Sequence, residues 1–167
     1  MTDEDAPEPE RALAWARARH GGQCYGGRPY ATHLLAAAEV LRDCGYGDDP
    51  VLMSAAYLHD TIEDTDAEHA DIARAFGARL ADIVDAVSDP AGATRAERKA
   101  AAYPRIRALD DAVRVKLADR IANVEAGGPR SAKYLDEQAA FRAELFRPGV
   151  ADALWARLDR ALAARAG

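Results

Sequence analysis

Apolar residues recur at helical spacing in helix-length segments of this chain, and glycine and proline separate the segments. In segment 110–126, for example, one apolar stripe is formed by Val113, Leu117, Ile121 and Val124. The apolar residues are mostly alanine and leucine, which favour helices, and no segment has the pattern of a strand. The sequence therefore predicts an all-α bundle of about eight or nine helices.

The length of 167 residues fits one domain. Residues 1–8, MTDEDAPE, are acidic and contain a proline, so we expect a disordered tail there. We place the domain in residues 9–166.

The net charge of the chain disfavours some classes of binding partner. A net charge of −6 and a pI near 5.2 argue against nucleic acid or an anionic membrane as a partner. No apolar run reaches the length of a membrane span, and no signal-peptide pattern opens the chain. Cys24 and Cys44 form neither a disulfide framework nor a zinc motif. We therefore expect a cytoplasmic enzyme or regulator, and the sequence does not indicate its oligomeric state.

The segment LHDTIEDT, residues 58–65, concentrates groups that can bind a metal or move protons. We predict that it ends a helix over 50–64 that is capped by Asp49. On a helix, His59 lies four residues before Glu63, and Asp60 lies four before Asp64, so each pair shares a face. Carboxylates this close repel one another unless a cation lies among them. The alternative is a solvated acidic face.

A second polar cluster lies in VKLADRIANV, within segment 110–126. Its polar stripe is narrow and apolar residues flank it on both sides, which indicates a helix buried on most sides. Asp119 and Asn123 would then need partners, and a cation held by His59 and Asp60 would supply one. The alternative is one solvated face of a surface helix.

The stretch HGGQCYGGRPY, residues 20–30, contains four glycines and predicts an irregular loop. Such a loop either turns sharply or lets the backbone approach a ligand, and a plain turn is the alternative. Pro29 suits the first position of the helix that follows. His20 and His33 bracket the loop, and from their positions alone each fits a structural histidine or a ligand.

Three motifs, HGGQ…RPYATH, AAYLHDTIEDT and VKLADRIANV, occur in this order between about residues 10 and 145. In this respect the chain resembles the HD-domain superfamily of metal-dependent phosphohydrolases. It is most similar to the hydrolase domain of RelA/SpoT-type enzymes and to the small alarmone hydrolases. The resemblance implies an HD-type helical fold, one bound divalent metal ion, typically Mn²⁺, and a nucleotide substrate.

The resemblance also implies roles for individual residues. The metal ligands would be His33, His59, Asp60 and Asp119. The catalytic residues would be Glu63, Asp64 and Asn123. The substrate contacts would include Arg98, Lys99, Arg130 and Tyr134, whereas Lys116 and Arg120 would form structural ion pairs.

One departure from the family concerns the glycine-rich stretch. The relatives have an arginine after the GQ motif, against the guanine base, and this chain has Tyr25 there. We predict that Tyr25 stacks on a nucleobase, since every base has a π-face, and that Arg28 supplies charge from a shifted position.

The resemblance implies an activity, and the best prediction is 3′-pyrophosphohydrolysis of guanosine 3′,5′-bis(diphosphate), ppGpp. One alternative is a phosphatase of another nucleotide or nucleoside phosphate, including NADPH and nucleoside monophosphates. A second alternative is a non-catalytic regulatory module that binds a metal or a nucleotide.

Overall fold

The computed structural model describes residues 9–167, so the tail predicted for residues 1–8 lies outside the described residues. Within this range there are ten α-helices and one short hairpin. Their bounds are α1 Pro9–His20, β1 Cys24–Tyr25, β2 Arg28–Pro29, α2 Ala31–Leu41, α3 Pro50–Leu58, α4 Thr61–Asp64, α5 His69–Phe76, α6 Ala78–Val87, α7 Arg95–Arg107, α8 Asp110–Ala126, α9 Ala132–Leu145 and α10 Asp152–Ala166. Since α4 is a single turn of 4 residues, the prediction of an all-α bundle of about eight or nine helices is confirmed.

Helix α8 occupies the middle of the fold and contacts α2, α3, α6, α7 and α10. Ten of its 17 residues are buried, including the charged side chains of Lys116 and Arg120. The narrow polar stripe of this helix therefore lies inside the bundle, as its flanking apolar residues predicted. None of the helices in the described part of the chain combines the length and the apolar character that crossing a bilayer requires.

Helices α7 and α9 pack against each other and against α8. Aromatic contacts anchor them: the ring centroid of Phe141 on α9 lies 6.3 Å from that of Tyr103 on α7 and 5.5 Å from that of Trp155 on α10. Edge-to-face and tilted packing of this kind is favourable beyond the buried area. These contacts hold α7 and α9 in place. The two helices carry most of the basic residues near the candidate metal centre.

The predicted single helix over 50–64 is divided in the structure. Helix α3 ends at Leu58, and α4 begins at Thr61. Two side chains replace backbone donors at the break: Nδ1 of His59 bonds to the carbonyl of Ala56 at 2.6 Å, and the hydroxyl of Thr61 donates to the carbonyl of Leu58 at 2.7 Å. The break turns His59 and Asp60 toward the interior of the bundle.

The glycine-rich stretch forms a hairpin, so the expectation that no strand exists was wrong at this point. Tyr25 pairs with Arg28, and the two residues between them, Gly26 and Gly27, have φ values of 56° and 79°. A two-residue hairpin turn with two positive φ angles strongly favours glycine, and this requirement explains the Gly-Gly sequence. Pro29 therefore lies in β2 and not at the start of α2.

Helix α3 is capped as the sequence predicted. Oδ1 of Asp49 accepts hydrogen bonds from the backbone N–H groups of Val51 and Leu52, both at 3.0 Å. Pro50 occupies the first turn, where its missing N–H leaves no bond unmade. The cap fixes the helix that leads to His59.

Removing this cap should destabilise the protein. We expect Asp49→Ala to lower the free energy of unfolding by about 1 kcal/mol, because two backbone donors lose their acceptor. Urea unfolding followed by circular dichroism measures this change. The matched control is Asp48→Ala, at the exposed neighbouring carboxylate, and an equal loss in both variants would contradict the capping role.

Candidate metal centre

Four side chains from separate parts of the fold converge at the inner end of a cavity. His33 comes from α2, His59 and Asp60 from the α3–α4 junction, and Asp119 from α8. Nε2 of His33 lies 3.1 Å from Nε2 of His59 and 3.0 Å from Oδ1 of Asp119. Nε2 of His59 lies 3.1 Å from Oδ2 of Asp60. The four residues that the resemblance implied as ligands are thus brought together, with one donor atom of each within 4.8 Å of the others.

The donor set fits a divalent metal ion. Because Nδ1 of His59 bonds to a carbonyl oxygen, it carries the hydrogen, and the lone pair of Nε2 points at the centre of the cluster. The separations of 3.0 to 3.5 Å between donor atoms match those of ligands about 2.1 Å from a shared ion. Two imidazoles and two carboxylates suit a first-row divalent metal.

The electrostatics of the cluster also favour a positive charge at its centre. Burial lowers the pKa of His59, but the carboxylates of Asp60 and Asp119 outweigh it and raise that pKa well above its usual value. Burial raises the pKa of Asp119, but Lys116 and His59 outweigh this effect and hold that pKa well below its usual range. A cation among these groups would satisfy the same carboxylates.

Two groups outside the cluster hold its carboxylates. The hydroxyl of Tyr30 donates to Oδ2 of Asp60 at 2.7 Å and to Oδ2 of Asp64 at 2.9 Å. Burial, together with Asp60, raises the pKa of this phenol, so it stays protonated and donates. Nδ2 of Asn123 donates to Oδ1 of Asp119 at 2.9 Å. Contacts of this kind orient metal ligands.

The cavity above the cluster has a volume of about 240 Å³, and Glu63 and Asp64 lie in its wall. Oε1 of Glu63 accepts a hydrogen bond from the backbone N–H of Asp89 at 3.1 Å. Burial raises the pKa of both Glu63 and Asp64 above their usual values. The two carboxylates therefore border both the cluster and the space in which a substrate would lie.

The cavity is also lined by cationic side chains, and most of the predicted substrate contacts belong to its lining. Four of them line it, namely Arg98, Lys99, Arg130 and Tyr134. Lys99 is already engaged, since its Nζ lies 2.7 Å from Oδ2 of Asp89. Tyr25 also lines the cavity, whereas Arg28 is exposed on the hairpin and does not.

Four residues of the cavity were not among the site residues predicted from the sequence. Tyr30, Asp89, Arg95 and Lys133 all line the cavity. Tyr30 lies in the motif RPYATH and precedes His33 by three residues, so its helical offset was a usable signal. Asp89 follows α6 in an irregular segment, and nothing in its local sequence indicates that it faces Lys99.

Metal binding should depend on Asp119. We expect Mn²⁺ to raise the melting temperature of the wild-type protein by about 5 °C or more, because it binds the folded state alone. Asp119→Asn should largely remove this rise, since one anionic ligand is lost. Differential scanning calorimetry with and without Mn²⁺ measures both.

Asp82→Asn is the matched control, because Asp82 forms a similar pair with His69 on the exposed surface, at 2.7 Å. The control should keep the full Mn²⁺ response. A wild-type response that persists in Asp119→Asn would rule out this residue as a ligand.

Comparisons with known proteins agree with this geometry. A family model described as HD domain matches residues 12–147. A guanosine-3′,5′-bis(diphosphate) 3′-pyrophosphohydrolase of Aquifex aeolicus is 35% identical over 127 residues, which cover 73% of this chain and 18% of that protein. The enzyme of the same name, MESH1, from Danio rerio is 36% identical over 99 residues, covering 59% of this chain and 55% of that protein. The chain thus spans about half or less of these curated relatives.

One solved structure, described as a metazoan ortholog of SpoT that hydrolyzes ppGpp, has a TM-score of 0.79 at 24% identity and covers 94% of each chain. A structure from Listeria monocytogenes has a TM-score of 0.59 at 23% identity and covers 81% of this chain and 99% of that chain. These likenesses show the shared fold. The family model spans most of the chain and includes all four converging side chains, and the chain therefore belongs to the HD domain family.

Proposed function

We propose that this protein is a metal-dependent phosphohydrolase of nucleotides and that it releases the 3′-pyrophosphate of ppGpp. The observation that carries the proposal is the composition of one cavity. Its lining combines residues of a cluster that fits a metal, the carboxylates of Glu63 and Asp64, and several cationic side chains. The curated relatives named as ppGpp pyrophosphohydrolases support the choice of substrate.

In this proposal His33, His59, Asp60 and Asp119 hold one divalent ion, and Mn²⁺ suits their mixed nitrogen and oxygen donors. Such an ion, when bound, supplies Lewis acidity toward a phosphoryl oxygen and makes a nearby water more acidic. The side chains keep the donor atoms aimed at one point through the bonds of His59 to Ala56 and of Tyr30 to Asp60.

We assign to Glu63 the acceptance of a proton from the attacking water. No described residue donates a hydrogen bond to its Oε2, and burial raises its pKa toward the range of a useful base. The carboxylate of Asp64 accepts a hydrogen bond from the hydroxyl of Tyr30, and its backbone carbonyl accepts one from Nε2 of Gln23 at 2.7 Å. We assign Asp64 to orienting the water and Asn123 to orienting Asp119.

The cationic side chains of the cavity would bind the phosphates. Lys99 is paired with Asp89, and Arg95 is paired with Glu137, so their charges are largely compensated. Arg130 and Lys133 also line the cavity, and neither forms an ion pair within residues 9–167. Together with Arg98, they are the cations most available to an incoming polyanion.

The net charge of −6 supports a small nucleotide over nucleic acid as the substrate. A cytoplasmic location and Mn²⁺ as the native ion are further parts of the proposal.

A substrate panel tests the proposal. Purified protein with Mn²⁺ is offered ppGpp, GTP, NADPH and nucleoside monophosphates, and pyrophosphate and phosphate are quantified separately. We expect pyrophosphate from ppGpp. Release of phosphate from NADPH or a nucleoside monophosphate, with no hydrolysis of ppGpp, would support a phosphohydrolase and exclude ppGpp as its substrate. Failure to hydrolyse any compound, despite bound Mn²⁺, would favour a regulatory module.

Replacing Glu63 should stop turnover without removing the metal. Glu63→Gln keeps the shape of the side chain and loses the base, so we expect kcat to fall by about 100-fold or more. Metal content, measured by mass spectrometry, should stay at the wild-type level. Glu39→Gln, on the exposed side of α2, is the matched control and should keep wild-type kcat.

Removing the available cations should weaken substrate binding. We expect Arg130→Ala and Lys133→Ala each to raise KM for the phosphorylated substrate by about 10-fold, because each removes a charge-assisted hydrogen bond. Steady-state kinetics at fixed ionic strength measures the change. Arg160→Ala, at an exposed position of α10, is the control and should leave KM unchanged. Equal KM values for the wild type and all three variants would contradict the assignment of Arg130 and Lys133 to phosphate binding.

A further inference from the structure

Tyr25 contacts one of the four converging residues, His33, directly and is linked to another, Asp119, through Asn123. Its ring stacks on the imidazole of His33, with centroids 4.7 Å apart and planes 19° apart. Its hydroxyl donates a hydrogen bond to Oδ1 of Asn123 at 2.8 Å. The contact with His33 connects the hairpin to α2, and the contact with Asn123 connects it to α8.

The second contact extends to Asp119. The amide of Asn123 has one acceptor and one donor end, and the hydroxyl of Tyr25 bonds to the acceptor end. The donor end, Nδ2, then lies against Asp119, 2.9 Å from Oδ1 and 3.0 Å from the backbone carbonyl oxygen. The hydroxyl of Tyr25 therefore helps to set which way the amide of Asn123 points.

The hydrogen bonds of the hairpin restrict the position of the Tyr25 backbone. The backbone N–H of Tyr30 donates to the carbonyl of Gln23 at 3.0 Å, and Tyr25 pairs with Arg28 across the two-residue glycine turn. A side chain on such a short, hydrogen-bonded turn has less freedom than one on an open loop. This geometry suits a residue that holds its neighbours in place.

We propose that Tyr25 is a positioning residue for the metal centre, whose hydroxyl orients Asp119 through Asn123 and whose ring orients His33. The inference rests on the proposed function, because it concerns the same centre. The sequence-based expectation that Tyr25 stacks on a nucleobase stays a prediction, and it concerns the ring face that does not lie against His33. Tyr30 donates a hydrogen bond directly to Asp60, so two tyrosines of the glycine-rich stretch would orient the ligands.

Calorimetric titration with Mn²⁺ alone tests the inference without any substrate. Tyr25→Phe removes only the hydroxyl, and we expect Kd for Mn²⁺ to rise by about 3- to 10-fold. Tyr25→Ala also removes the stacked ring and should raise Kd further. Tyr103→Phe is the matched control, since Tyr103 is buried against Phe141, and it should bind Mn²⁺ as the wild type does.

A double-mutant cycle separates the path through Asn123 from a general structural effect. If the hydroxyl acts through the amide, adding Tyr25→Phe to Asn123→Ala should change Kd by less than about 2-fold. Full additivity of the two changes would overturn the inference. Unchanged Mn²⁺ affinity in Tyr25→Ala, with a raised KM for ppGpp, would also overturn it and support the base-stacking role alone.

The outcomes also distinguish this inference from the proposed function. Absence of Mn²⁺ binding by the wild-type protein would overturn both. The protein could instead bind Mn²⁺ and give the expected result in the double-mutant cycle, but fail to hydrolyse ppGpp. This result would overturn the substrate assignment and leave the role of Tyr25 unchanged.

Discussion

The burial of α8 determines how the neighbouring helices and the candidate metal centre are arranged. This helix is packed against other helices along most of its length, yet it carries charged residues into the interior. A buried charge is costly unless it is paired, so each of these residues requires partners from neighbouring helices. Asp119 meets His33 from α2, and Arg120 meets Glu137 from α9. The packing that builds the core therefore also assembles the site.

The cavity concentrates cationic side chains on a protein whose overall charge is negative. Its basic residues come from α7, from α8 and from residues 130–133, and they share the lining with the carboxylates. Several of the basic groups are compensated by buried carboxylates, as Lys99 is by Asp89. The remaining cations create a local site for a polyanion, which a net charge of −6 would not indicate.

Prediction from the sequence succeeded where local spacing decides the outcome. The cap at Asp49, the burial of α8 and the helical class follow from capping chemistry and periodicity. His33 was assigned through the family resemblance alone, because its own segment does not distinguish a ligand from a structural histidine. The break between α3 and α4 was missed, since it depends on side chains of His59 and Thr61 that take over backbone acceptors.

Most of the helices, the acidic cluster at 58–65 and the order of the motifs can be read from the sequence, because these depend on neighbours a few residues apart. Which distant groups meet depends on the packing of the helices. Tyr25 and Asn123 are separated by 98 positions, and no local pattern indicates that their side chains are hydrogen-bonded. Such contacts depend on how α2, α8 and the hairpin pack, which is set by the burial of their apolar faces and the pairing of their buried charges.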